Sequence, residues 1–257
     1  MKIFSSQLFV LVLLYCCIVS LAWAPWGRRR RRRSRAPTPR PTPPAQRNSR
    51  LGPLQVSRGQ VTFDSEGNDI PGSIYFSRKP HVPSPASGIT IGRGYDLKER
   101  KQAGVYRQLL RVGIPARTAQ KFSRGVGLKG RTAKNYLKKN NLQTYTITHN
   151  QQKKLFYIAY DAIAADARRL ATKPDVQRAY GKTNWARLNS AIKDVVVDLR
   201  YRGDYTPTTR RKIQRAIAAN NLKLFTQLMS DQNYWLKQIK VPRDRFIRRK
   251  NALVKAG

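Results

Sequence analysis

The chain has 257 residues, 52 of them Lys or Arg against 13 Asp or Glu, for a formal charge of +39. Its two cysteines, Cys16 and Cys17, sit together near the N-terminus, which excludes a disulfide framework, a cysteine nucleophile and a Cys-based metal site from the remainder. The length permits an ordinary hydrophobic core, and the charge suits anionic partners without naming one.

The first predicted element is a leader. MKIFSSQLFVLVLLYCCIVSLAWA sets one lysine ahead of an apolar run and closes on Ala22-Trp23-Ala24, a small-x-small cleavage signature. Secretion with cleavage after about Ala24 is expected for residues 1–24. The arginine run from Arg28 to Arg33 opposes translocation, so a signal-anchor is the competing reading. Residues 25–59 hold that run and a proline-rich stretch; like charges repel and proline forbids both helix and ladder, so a disordered basic arm is expected. It serves either to target anionic surfaces or as a solvated linker or processing site.

A folded domain is expected over 60–257, of class α+β: a small N-terminal β hairpin or sheet region followed by a mainly helical lobe. QVTFDSEGNDIPGSIYFSRK and SGITIGRGYDL read as short strands cut by Pro, Gly and Asn turns. From Lys98 the pattern is helical. THNQQKKLFYIAYDAIAADARRLA opens with Thr148 and Gln151 in capping-box register. NWARLNSAIKDVVVDLRYRG repeats apolar residues at three and four from Trp185 to Leu199, with Gly203 able to end it. RRKIQRAIAANNLKLFTQLM and RDRFIRRKNALVKA read as two further helices. No internal repeat is present.

Five of the acids (Asp64, Glu66, Asp69, Asp96 and Glu99) fall between positions 64 and 99, and Glu66 and Glu99 are the only glutamates. Two carboxylates on one cleft are the minimum for glycosidic hydrolysis, one protonated to serve the leaving oxygen and one ionised to handle water. Phe63 and Ile70 are expected to raise the pKa of Glu66 by excluding water. The alternative is that these acids offset local arginines or sit in turns, which suits Asp64 and Asp69. Gly92 and Gly94 alternate with bulkier residues, a spacing that admits close approach of backbone or ligand; no third glycine is placed to make a dinucleotide fingerprint.

Five segments, FDSEGND, SGITIGRGYDL, ITHNQQKKLF, AIKDVVVDLRYRGDY and VPRDRFIRRKNAL, occur in the order seen in the phage-type lysozyme superfamily. The chain resembles most closely the branch similar to the lysozyme-like toxin domain of pesticin, over roughly residue 60 to the C-terminus. The resemblance implies a lysozyme-like fold and a muramidase that cleaves the β-1,4 bond between N-acetylmuramic acid and N-acetylglucosamine in peptidoglycan. It implies Glu66 as general acid, Thr90 as the threonine that helps hold the attacking water, and Asp96 as the second carboxylate. In the ordinary phage pattern that carboxylate stands between glutamate and threonine; here the acid comes after the threonine, and the stereochemical outcome stays open.

Arg93 and Tyr95 of the glycine-rich segment, with Asp198, Tyr201 and Arg202 of the second helical segment, are expected substrate contacts. For Asp194 and Asp198 the competing reading is pairing with Lys193, Arg200 or Arg202. Tyr75, Tyr95 and Tyr201 either stack on sugars or pack internally. Arg243 or Arg245 is expected to ion-pair with Glu66, which lowers its pKa unless burial counters it. Two histidines, His81 and His149, lack ligand spacing, so neither a metal nor any other cofactor is expected.

The expected product is a secreted, antibacterial, bacteriolytic monomer whose partners are peptidoglycan, anionic cell-wall polymers and, as a further option, an anionic membrane surface. The alternative is a non-catalytic cationic protein that binds walls or membranes on a vestigial lysozyme fold. Specific nucleic-acid binding fits the charge but no recognisable module.

Overall fold

Apolar residues between Leu54 and Leu253 sort into two buried clusters. A computed structural model describes residues 54–257. The leader, its cleavage point and the basic arm up to residue 53 lie outside the described residues. The last six residues expected in the arm, 54–59, are instead tied to the folded part. Arg58 makes a two-pronged pair with Asp161 at 2.9 and 2.7 Å, and the Ser57 amide donates to the Tyr157 hydroxyl.

The class is α+β, mostly helical with a two-stranded antiparallel sheet. The chain opens with α1 (Gln60–Ser65), then runs β1 (Thr90–Ile91), β2 (Tyr95–Asp96), α2 (Gln102–Arg111), α3 (Ala116–Ser123) and α4 (Gly130–Lys139). It continues through α5 (His149–Ala171), α6 (Pro174–Tyr180), α7 (Ser190–Arg202), α8 (Pro207–Ala218), α9 (Leu222–Met229), a π-helical segment (Asn233–Gln238) and α10 (Arg243–Ala256).

The first expected strand is a helix. Val61, Thr62 and Phe63 are buried in succession because α1 packs on both α7 and α10. That burial overrides the β-forming Val, Thr and Phe. Gly59 starts the helix at φ +71°, where a Cβ would meet the Tyr160 ring at 2.3 Å. Its amide donates to Asp194 Oδ2 at 3.0 Å, and the Tyr160 hydroxyl donates to Oδ1 at 2.6 Å. Asp194 thus anchors the entry to α1 and pairs with none of the cations named from the sequence.

α5 begins with the expected capping box: the Thr148 hydroxyl accepts from the Gln151 amide at 3.2 Å and Gln151 Oε1 accepts from the Thr148 amide at 2.9 Å. This helix joins the two clusters. Leu155 belongs with the hairpin, α2, α3 and α4, while its neighbour Phe156 belongs with α7 to α10. α7 starts later than the periodicity predicts, because Asn189 caps it through the amides of Ala191 and Ile192 and leaves Trp185 and Leu188 in the preceding loop. Gly203 ends it at φ +94°. The segment expected as one helix is two, α8 and α9, split where Asn220 turns to φ +52° and Asn221 caps α9. Among the described residues no helix is long and apolar enough to cross a membrane.

Candidate active site

Glu66 is the residue at which α1 stops, its amide still bonded to Thr62 O at 3.0 Å. The helix fixes it beside α7 and α10, with 24 % of its side chain exposed. Arg245 Nη1 donates to Glu66 Oε1 at 2.9 Å. Oε2 makes no hydrogen bond among the described residues. Burial pushes the Glu66 carboxyl above its ordinary 4.5, Arg245 pulls it down, and the nearby Asp198 charge pushes it up; the net displacement is upward. The desolvation does not involve Ile70, whose side chain points to solvent at 64 % exposure; Phe63 is fully buried one turn back.

The hairpin supplies the other two candidates. Thr90 and Asp96 are direct partners across the β1–β2 ladder, so their side chains share a face. Thr90 is buried, and its hydroxyl makes no hydrogen bond among the described residues. Asp96 is half-buried: Oδ1 accepts from the Lys98 amide at 2.7 Å and Oδ2 from the Gly88 amide at 3.2 Å.

Tyr201 of α7 ties the hairpin to the Glu66 side. Its hydroxyl donates to Arg93 O at 3.4 Å and stands over Gly94, where a Cβ would lie 1.7 Å from it. The close approach read from the glycine spacing is therefore made by this phenol. Burial holds the phenol well above its ordinary range, and the charge of Glu66 adds to the displacement. A hydroxyl committed to the hairpin braces the two elements.

Four expected substrate contacts are structural instead. Arg93 is 4 % exposed, donates to Phe63 O at 2.6 Å and Asp69 at 2.7 Å, and lies over the Phe63 ring at 3.6 Å. Tyr95 is fully buried, its hydroxyl donating to Gln108 at 2.5 Å. Asp198 is fully buried, and both its oxygens are occupied by arginines of α10. Arg202 is half-buried, bonded to Asp204 and, at 2.8 Å, to Lys240 O, where it braces the turn after α7. The hydrogen bonds that these four side chains make all go to protein groups. Tyr75, at 67 % exposure on the loop after Glu66, is the aromatic ring of the three tyrosines that is open to solvent.

Asp64 and Asp69 offset Arg93, and Asp69 also lies 3.5 Å from Arg78. Glu99 is exposed and pairs with Lys98. His149 is the first residue of α5, and His81 bridges to Thr90 through its backbone. Among the described residues no group of three or more His, Cys, Asp or Glu is placed to hold a metal ion.

Sequence reasoning missed Arg249. Its Nε donates to Asp198 Oδ2 at 2.6 Å and its Nη2 lies 2.9 Å from Asp204, so the charges run Glu66, Arg245, Asp198, Arg249, Asp204, Arg202. The signal was available: Asp198 falls among the apolar positions of α7, between Val195, Val196 and Leu199, and Arg249 falls among those of α10, between Phe246 and Leu253. Charged residues in apolar register have to find each other.

A family model described as Domain of unknown function (DUF8812) matches residues 59–250. No curated protein matches the chain.

Proposed function

The chain belongs to that family, whose description names no activity, and we propose from its own site that it is a peptidoglycan hydrolase of lysozyme-like fold. The observation that carries the reading is a carboxyl held above its ordinary pKa by burial yet bonded at only one oxygen. Tyr201, on which the Glu66 charge acts, is bonded at Arg93 O to the hairpin that pairs a free threonine hydroxyl with a carboxylate. Two hydrophobic clusters joined by one long helix, with Glu66 on one and the hairpin on the other, support the lysozyme-like fold.

Glu66 Oε2 carries the proton and gives it to the glycosidic oxygen as the bond between N-acetylmuramic acid and N-acetylglucosamine breaks. The Thr90 hydroxyl and the Asp96 carboxylate hold the water that attacks the anomeric carbon. Tyr75 stacks on a sugar face, a role open to it because it is exposed. The strongly positive charge, +39 over the whole sequence, draws the secreted protein to anionic walls. The test is clearance of a bacterial wall suspension: Glu66→Gln abolishes it while sedimentation still shows the variant bound to walls. Clearance by that variant at the rate of the unaltered chain overturns the assignment.

A second reading, a cationic wall-binding protein without hydrolysis, draws on Asp96. Both its oxygens accept backbone amides, which is also what a purely structural aspartate does. The two readings part on product: hydrolysis releases new reducing ends from purified peptidoglycan, and binding releases none.

A further inference from the structure

Among the described residues Asp198 is the acid with no exposed surface. It accepts three side-chain hydrogen bonds from two arginines: Arg245 Nε at 3.1 Å, Arg245 Nη2 at 2.6 Å and Arg249 Nε at 2.6 Å. Arg245 divides its donors between two acids, with Nε and Nη2 on Asp198 and Nη1 on Glu66.

An arginine whose only partner was Glu66 would hold that carboxyl ionised, which defeats a proton donor. We propose that Asp198 is a positioning residue: it takes most of the charge and two of the donors of Arg245, so that Arg245 orients Glu66 through one hydrogen bond without stripping its proton. Arg249 sets how much of Asp198 is left for that task, because it occupies the same oxygen, Oδ2, that Arg245 Nε shares. The role rests on Glu66 acting as the acid. The groups facing Glu66 are Arg245 from α10 and Asp198 and Tyr201 from α7; Arg100, beyond the hairpin, acts on Tyr201. Asp198 raises Glu66 while Arg245 lowers it, in line with the geometry.

Asp198→Asn frees Arg245 to act on Glu66 alone and moves the Glu66 titration down by about one pH unit, a protonated fraction about tenfold smaller at a given pH above the midpoint. Arg249→Met leaves Asp198 wholly to Arg245 and moves the titration up. Because Glu66 and Glu99 are the only glutamates, carbon-13 labelling of glutamate in the full chain gives two carboxyl signals to track against pH. Glu99, at 84 % side-chain exposure, is the internal reference. Arg249→Met keeps Asp198 paired and so remains readable if Asp198→Asn does not fold. A Glu66 midpoint unmoved in either folded variant, or moved the same way in both, overturns the proposal. That readout involves no turnover, so it fails or stands independently of whether Glu66→Gln abolishes hydrolysis.

Discussion

A carboxyl that has lost most of its water but keeps one guanidinium partner sits between two opposing pulls, and at Glu66 burial wins. Its folded pKa lies above the ordinary 4.5, and a general acid works only while protonated. Hydrolysis of soluble glycan fragments therefore persists at pH values above 4.5 and declines as pH rises through the raised midpoint; a pH–rate profile whose alkaline limb falls below 4.5 contradicts this. The glycine of the hairpin is equally constrained. At Gly94 φ is +84°, and any side chain runs into Tyr201, so Gly94→Ala combines backbone strain with a clash. We expect a loss of about 1–3 kcal/mol in denaturant unfolding, only partly relieved by a second change, Tyr201→Ala, which removes the clash and leaves the strain. At this scale Glu66 was legible as an acid followed by glycine within the acid-rich stretch, whereas Thr90 and Asp96 were assigned to the site only through the resemblance to phage-type lysozymes; that they face each other across the ladder is seen in the structure alone. The burial of Arg93, in the turn between the strands, and of Tyr95, on β2, was not legible, because alternation does not say which face a neighbour will cover. The partners of Asp198, 47 and 51 residues away on α10, lie beyond any local spacing rule and were legible only as charges set in apolar register on two helices.

Elements read well where capping chemistry marked their ends. Thr148 and Gln151 satisfy each other's backbone amides at the start of α5, and Thr148→Ala should cost about 1 kcal/mol of stability, measured by thermal unfolding, with Thr148→Ser restoring it. An alanine variant as stable as the parent would show that packing alone starts the helix. The same helix hides its most consequential property from a periodicity argument. Leu155 and Phe156 are adjacent and both fully buried, each in a different cluster, so α5 is covered on two faces and a single apolar stripe describes only one. α1 was misread for the opposite reason. A six-residue segment has too few positions to show a period, and its helical state is imposed by α7 and α10. The break between α8 and α9 had a legible cause in Asn220-Asn221, since asparagine tolerates the left-handed region and caps helices.

Across the whole molecule the buried chain of alternating charges fastens α10 to α7 and the end of α1. Removing one partner of such a network strands the others without water, so Asp198→Asn should lower unfolding stability by about 3–5 kcal/mol, leaving a domain of ordinary stability folded but marginal. Asp198 is held below its unfolded value of 3.8 by its two arginines, against the effect of burial. Its contribution is thus complete above the unfolded value and is lost as pH falls through that value toward the folded one. Acid unfolding monitored by circular dichroism should show the parent losing stability below about pH 4, and Asp198→Asn losing less over the same interval. Equal acid sensitivity in both would mean that other carboxyls govern the transition. The same network holds Glu66 through Arg245, so fold stability and the candidate chemistry share residues.

The central claim is that Glu66 donates a proton to a glycosidic oxygen. Reducing ends released from purified peptidoglycan, counted for the full chain and for Glu66→Gln at equal wall-bound protein, test it most directly. Steady release by the parent and none by the variant is the predicted result. No release by the parent, or equal release by both, contradicts it.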